Sequence, residues 1–486
     1  MIRSLAVRIY LSVLLFVCSY MQASLGPTTE IDNNGNLVGA PPVSCFNTQT
    51  NQFFVGWESG GLYGSLYDTS GALVVGPLLL VNDGVPVVPY TLPASCYNSV
   101  NNQFLISYLG YNGTSIGSAF NILDQNGNNV VGPILINPGA DQPNSLIFCC
   151  YNSTNNEYCL AWGSVNGFCY FVIIDSLGNI LVNPTLISPS QINTNDGYNL
   201  FVSYNSTNNQ YCFTWQGSSD NNPYFALYNA NGTVAVSPTP VSSSGNSLSL
   251  VLTSCFNAMN GQYLIAWNDI AHNGYFATVN GAGITQLAAT QFASTISYEN
   301  AGSVYAGYDP QSNVYLLSWQ GTDNNSQYAV LNASGAIIVE PTDIPNLTGV
   351  TDYGFVTNSY GAGQFFIAWL GFLNIYNGYF ALLDTVQVNP PINVTGCVSS
   401  DSFLLQQDLL NSISWSAPLV GSNPVSYQLY QDADLSQLIA IVSATGTLSY
   451  IAHNRKPNTT YSYYIVSVDQ NGDHSIPVEI TITRPC

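Results

Sequence analysis

The chain has 486 residues, long enough for roughly two to four domains with a sizeable buried core, which excludes a small scaffold held together by disulfides alone. Asp and Glu outnumber Lys and Arg by 26 to 5, and Tyr, Asn, Gly and Ser stand where long helices would need Lys, Glu, Ala and Leu, so the composition predicts an all-β protein. Between Ser24 and Gln387 there are 19 acidic residues and no Lys or Arg; this stretch cannot neutralise phosphates, which excludes nucleic acid and anionic membrane lipid as its partners.

The first 23 residues, MIRSLAVRIYLSVLLFVCSYMQA, read as a signal peptide: two arginines, an apolar run from Ile9 to Val17, then small and polar residues with cleavage after Ala23. The apolar run is short for a bilayer span. Lipidation at Cys18 is a minor alternative, since Val17 is bulky where such a motif wants a small residue. The expectation is an exported chain, secreted or at the cell surface.

From Ile31 onwards the sequence repeats. SCFNTQTNQFFVGW, SCYNSVNNQFLISY, YNSTNNEYCLAW, YNSTNNQYCFTW, SCFNAMNGQYLIAW, AGYDPQSNVYLLSW and TNSYGAGQFFIAW are seven versions of one motif. They end at Trp57, Tyr108, Trp162, Trp215, Trp267, Trp319 and Trp369, with intervals of 51, 54, 53, 52, 52 and 50 residues. A period near fifty with β composition predicts a propeller or a related array. Each copy reads as four strands. An A strand such as SCYN leads through a polar turn to an aromatic B strand; a loop rich in Gly and Asn leads to a C strand such as YFALYN. A D/N-x-x-G turn, opened by Asp68, Asp124, Asp175, Asn229, Asn280 or Asn332, then starts the D strand.

The B strand is apolar on both faces, which predicts burial on both. One face is always large, as in Phe53/Val55/Trp57 or Tyr158/Leu160/Trp162; the other pairs a larger residue with a small one, as in Phe54/Gly56 or Cys159/Ala161. Stacked sheets would let the large face of one fill the space beside the small residues of the next. The seventh copy lacks a full D strand before Pro390, whereas Ile31–Pro42 looks like a C-to-D hairpin without A and B strands. The N-terminal segment is therefore expected to supply the outer strand of the last blade and close the ring.

On these motifs residues 31–387 resemble a secreted seven-bladed β-propeller, without the Trp-Asp pairs of WD40 blades, the Gly doublets of kelch, the aspartate boxes of sialidases or the calcium loops of integrin-type repeats. Residues 391–486 resemble a fibronectin type III domain, a β-sandwich, on ISWSAP with Trp415, SYQLYQD, TTYSYYIVSVDQNGDHS and PVEITIT. Tyr461 falls at the position of that family's corner tyrosine. Cys397 and Cys486 would lie at one pole of the sandwich, bonded or as two free thiols. The whole arrangement resembles bacterial surface proteins.

Chemistry is sparse. Cys45, Cys96, Cys150 and Cys255 share a repeat column with Ser203, Gly307 and Ser359, and Cys159 and Cys212 share one with Leu and Phe, so core packing outweighs a reactive thiol. His272 is the one histidine before residue 400, no zinc spacing exists, and no metal or cofactor is expected. The absence of arginine counts against a sialidase-type carboxylate clamp. The loops after the B strands combine amides, acids and aromatics; Asp220, Asn221, Asp269, Asp323, Asn324 and Tyr376 are the candidate ligand-binding residues, against the plainer reading that turns need Asn and Gly. Sequons at Asn112, Asn152, Asn205, Asn231, Asn324, Asn332, Asn346, Asn393 and Asn458 are glycosylation sites in one type of host and turn sequences in another.

The reading is a non-enzymatic binding or adhesion protein whose partner is an extracellular protein or a glycan, with the fibronectin-like module as spacer or second contact. The alternatives are a propeller glycoside hydrolase, which needs converging carboxylates, and a surface-layer component.

Overall fold

A computed structural model describes residues 24–31, 40–81, 86–88, 91–136, 141–187, 200–218, 220–242, 252–294, 296–297, 303–385, 388–403, 406–418, 424–433, 435–457, 459–469, 474–475 and 477–483. The expected signal peptide and Cys486 lie outside them. Every regular element among these residues is a β-strand. Two compact units result: Ala23–Asn389, and Pro390–Ala417 with Val425–Cys486.

In the first unit each repeat forms one antiparallel sheet in the order A-B-C-D, and seven such sheets occur among the described residues. The third is representative: Pro143–Asn152, Glu157–Ser164, Cys169–Asp175 and Ile180–Leu186. The A strand of each sheet lies against that of the next, and Thr351–Gly361 of the seventh lies against Val43–Asn47 of the first, so the sheets follow one another in a closed cycle. Ser44 and Ser359 share a hydrogen bond of 2.6 Å across that junction, and the Thr357 hydroxyl donates to the Pro42 carbonyl at 2.7 Å.

The two faces of the B strands pack as the residue sizes require. Tyr211, Phe213 and Trp215 of the fourth sheet sit in one cluster with Cys159, Ala161 and Phe171 of the third. Phe53, Val55 and Trp57 of the first sheet sit with Phe366, Ala368 and Phe380 of the seventh. A methyl group on Gly56 would come within 2.7 Å of Ile106 from the neighbouring sheet, so the small residue is needed there. Burial of each such large side chain contributes about 1.5 to 3 kcal/mol. Cys159 and Cys212 are fully buried, and burial pushes both thiols up, away from the reactive thiolate.

The D strands are exposed edges. Pro77, Pro133, Pro184, Pro238 and Pro341 lie in them, and the register with the C strand slips nearby, so these edges are poor templates for further pairing. In the seventh sheet two short N-terminal strands, Ser24–Leu25 and Thr29–Glu30, take the outer position beside Ile375–Asp384. Gly26 N–H donates to the Leu382 carbonyl at 2.8 Å, and Asn377 Nδ2 donates to Glu30 Oε1 at 2.8 Å. The N-terminus thus supplies the outer strand, but through residues upstream of the expected Ile31–Pro42 hairpin, most of which lies outside the described residues.

The polar A-to-B turns are joined into a ladder. Asn98 Oδ1 accepts from Val100 N and Asn101 N, both at 2.9 Å, capping its own turn, while its Nδ2 donates to Asn156 Oδ1 of the next sheet at 2.8 Å. Asn156, at φ +59°, also accepts from the Tyr151 hydroxyl at 3.1 Å. The same link runs from Asn47 to Asn102 at 2.8 Å, Asn152 to Asn209 at 2.9 Å and Asn257 to Asn313 at 2.9 Å. It fails after Asn205, because the next turn carries Gly261 at the receiving position and leaves Asn205 Nδ2 buried without a partner. In the sixth sheet Asp309 replaces the asparagine, and the polarity of its link reverses: Thr385 Oγ1 donates to Asp309 Oδ2 at 2.9 Å. Asn152 and Asn205, both sequons, are buried in these turns and cannot carry glycans in the folded chain. Asn458 lies outside the described residues.

In the second unit a three-stranded sheet, Ile392–Phe403, Gln406–Ser416 and Ser449–Ala452, and a four-stranded sheet, Leu438–Ser443, Ser426–Tyr430, Tyr461–Val468 and Val478–Ile482, share a core around Trp415, Tyr427 and Tyr463. The Tyr461 hydroxyl accepts from Lys456 N at 3.0 Å, and the Arg455 guanidinium lies 4.9 Å from its ring centre. Cys397 is in a disulfide whose partner lies outside the described residues.

The ladder yields a contrast between two sites. Asn98→Asp keeps the cap acceptor but sets a carboxylate against Asn156 Oδ1, and should destabilise by about 2 to 3 kcal/mol. Asn205→Asp faces no such oxygen and gives the buried, unpartnered Tyr263 hydroxyl a neighbouring acceptor, so urea unfolding should show a markedly smaller loss. Equal losses would refute the ladder.

Candidate functional site

The two ends of the sheets differ. One end carries the A-to-B and C-to-D turns, whose polar groups are tied up in caps and the ladder. The other carries the loops from B to C, where the sequence places its candidate residues.

Each B strand carries a Trp or Tyr near its end, which sits across from the second residue of the C strand in five sheets, from Ala119 in the second and from Tyr379 in the seventh. In five sheets this makes a stacked pair: Trp57–Tyr63, Trp162–Tyr170, Trp215–Tyr224, Trp267–Tyr275 and Trp369–Tyr379, with ring centres 6.2, 6.1, 6.0, 6.0 and 6.4 Å apart. The tryptophans are buried, whereas Tyr63, Tyr170, Tyr224 and Tyr275 are partly exposed. In the sixth sheet Trp319 Nε1 instead donates to Gln327 Oε1 at 2.8 Å.

Acids accompany these tyrosines. The Tyr224 hydroxyl donates to Asp220 Oδ2 at 2.8 Å, and this bond raises the tyrosine pKa, with burial adding to it. Burial raises the Asp220 carboxyl, but the hydrogen bonds from Tyr224 and Asn222 outweigh it and hold the group below its ordinary value. Tyr275 is raised by burial and by the charge of Asp269, Tyr170 by burial and by Asp141. These Trp-backed tyrosines were not singled out from the sequence, although the recurring C-strand tyrosine was a signal that could have found Tyr63, Tyr170, Tyr224 and Tyr275 together.

The loop residues chosen from the sequence are distributed over four successive sheets, and the acids are bound locally. Asp269 is almost fully buried; its Oδ1 accepts from Ala271 N and Asn273 N, both at 2.9 Å, and Oδ2 from Asn273 Nδ2 at 3.1 Å. Asp323 is exposed and accepts from Asn325 N at 3.2 Å and Asn325 Nδ2 at 2.8 Å. Asn221 and Asn324 adopt φ +53° and +61°, the left-handed turn geometry that asparagine tolerates. Tyr376 packs on Phe372 with ring centres 5.0 Å apart. Asp220, Asp269 and Asp323 thus act as loop caps on three different sheets, each hydrogen-bonded within its own sheet. Among the described residues no group of three His, Cys, Asp or Glu side chains could hold a metal ion.

Three further aromatic side chains meet across the ring. Phe148 and Phe201 lie 4.9 Å apart, and Phe201 meets Tyr305, two sheets further on, edge to face at 6.3 Å.

No protein-family model matches the sequence, and no curated protein is similar to it in sequence. Solved structures are similar in fold. The BP39L lectin from Burkholderia pseudomallei superposes with a TM-score of 0.57 at 16% identity over 79% of this chain and 99% of that one. A hydrazine synthase from Kuenenia stuttgartiensis gives 0.46 at 11% identity over 70% and 94%, and the six-bladed Aleuria aurantia lectin 0.39 at 9% over 59% and 93%. The chain is all-β, built of propeller-like four-stranded blades.

One acid that the sequence did not mark stands apart. Asp352, at the start of the seventh A strand, is buried, accepts a hydrogen bond from Ser326 N, and its own carbonyl accepts from Gln320 Nε2 at 2.7 Å. Burial pushes its carboxyl up to about 6, against the opposing pull of Ser326, Asn346 and Trp369. A raised carboxyl pKa means the folded state binds the extra proton between the ordinary carboxylate value and about 6, so ionised Asp352 costs stability above that window. Asp352→Asn, which keeps an acceptor for Ser326, should gain little at pH 4 and up to about 3 kcal/mol at pH 7.5 in urea unfolding. A gain that is flat with pH would contradict the assignment.

Proposed function

We propose that the chain is an exported, non-enzymatic carbohydrate-binding protein. In this reading the first unit is a seven-bladed propeller that presents its B-to-C loops to glycans, and the second is a fibronectin type III-like spacer or second contact. The observation that carries it is the repeated set of partly exposed tyrosines, each stacked on a buried tryptophan and three of them beside an acid. Such a group offers an apolar edge and fixed acceptors together, which is what a sugar with its C–H patches and hydroxyls requires. The loop acids Asp220, Asp269 and Asp323 are engaged in capping their own loops, which favours binding over the free converging pair that a glycosidase needs.

Further support comes from the fold shared with a bacterial lectin. For the second unit, support comes from the three-plus-four sheet order and the Tyr461 to Lys456 bond. For export, it is the pattern of the first 23 residues.

A glycan array probed with the intact protein tests the reading, with reducing-sugar release measured in parallel. Binding without hydrolysis is expected, and Tyr224→Ala should weaken the response of its sheet's site about tenfold, whereas Tyr224→Phe should keep most of it. Hydrolysis, or retention of extracellular proteins but of no glycan, would overturn it.

A further inference from the structure

The packing of the turn glycines singles out one junction. Each C-to-D turn ends in a glycine that lies on the outer part of the preceding sheet. Gly127 lies on Leu78, Gly178 on Ile134 and Val131, Gly232 on Val182, Gly283 on Val236, and Gly335 on Leu287. In every one of these five cases a D-strand side chain fills the space between neighbouring sheets. At the closing junction the D position is held by Ser24–Leu25 and Thr29–Glu30, with Gly26, Pro27 and Thr28 between them. From this segment Ser24, Gly26, Pro27 and Thr29 line the junction and Leu25 does not, so no Leu, Ile or Val side chain of the outer strands enters it, and Gly71 of the first sheet meets the C-strand residues Phe380 and Leu382 instead.

The result is a cleft of about 270 Å³ between the seventh and first sheets. Phe380 and Leu382 form its apolar wall; Ser24, Thr29, Ser70 and Asp384 bring hydroxyls and a carboxylate to it. The volume is at the lower end of small-molecule clefts, roughly 300 Å³ upwards, and suits one sugar ring more than a chain of them. The wall has no cation, nor does any residue between Ser24 and Gln387. An anionic sugar would therefore add a second negative charge beside Asp384 with no Lys or Arg between Ser24 and Gln387 to attract it.

We propose that this cleft is a binding site for a single neutral monosaccharide unit, created because the N-terminal strands that close the ring place no D-strand Leu, Ile or Val where five of the other junctions have one. The assignment rests on the glycan-binding reading above. It places one site per chain at the turn end of the closing junction, distinct from the loop tyrosines. Ring C–H groups would lie along Phe380 and Leu382, and a sugar hydroxyl would donate to Asp384.

Titration calorimetry with methyl glycosides of neutral hexoses and deoxyhexoses, and with methyl glucuronide, tests it on the full chain. Wild type should bind at least one neutral glycoside and not the glucuronide. Ser70→Trp, on an exposed turn, should fill the cleft and remove one binding equivalent per chain, and Asp384→Asn should weaken that equivalent about tenfold. If glycosides bind but neither variant changes stoichiometry or affinity, while Tyr224→Ala does, the cleft is refuted and the glycan reading stands. If no glycoside binds the wild type, both fall.

Discussion

The ring rests on one packing constraint: every B strand is apolar on both faces, so every sheet needs a neighbour on each side. An open row would leave the large face of the first sheet, Phe53, Val55 and Trp57, and the opposite face of the last sheet exposed to water. Closing the row puts those residues in one cluster with Phe366, Ala368 and Phe380. The difference in face size, large on one side and relieved by Gly, Ala, Ser or Thr on the other, lets the same joint recur with different side chains. Residues as unlike as Cys159 and Phe366 occupy one column because each meets only its local counterpart.

Closure also separates the two ends of the sheets. At four junctions the A-to-B turns are linked by Asn-to-Asn hydrogen bonds that satisfy buried amides and tie neighbouring sheets together, a restraint missing after Asn205 and altered at Asp309. The loop end has no such ladder. Asp352 joins the sixth and seventh sheets there, whereas Asp220, Asp269 and Asp323 cap single loops and four of its tyrosines are backed by tryptophan, so it presents a firm base with changeable tips. Binding residues on short loops over a stiff scaffold lose little conformational freedom on association, which suits a ligand of modest contact area.

Much of this was legible in the sequence because the repeat averages over local accidents. Seven copies show which columns keep size and which keep chemistry, and they identify Cys159 and Cys212 as core before any coordinates exist. What the repeat cannot display is anything present once. Asp352 has no counterpart marked by the motif, and its burial depends on the neighbouring sheet's loop at Ser326. The closing strands were expected at Ile31–Pro42 because that segment imitates a C-to-D hairpin. The outer position is instead taken by Ser24–Glu30, whose pairing is mostly backbone and leaves little trace in side chains. Asp269 looked like a ligand group because its type and loop were right; only the geometry reveals that both its oxygens are engaged within the loop.

The central claim is that the ring is one cooperative unit completed by its N-terminal strands. Hydrogen exchange on the chain starting at Ser24 and on one starting at Ile31 tests it most directly, read at the B-strand amides of all the sheets. Loss of the closing strands should lower protection in every sheet by a similar factor, because opening one joint exposes both faces it buried. Faster exchange confined to Ile375–Asp384, with the remaining sheets unchanged, would contradict the claim.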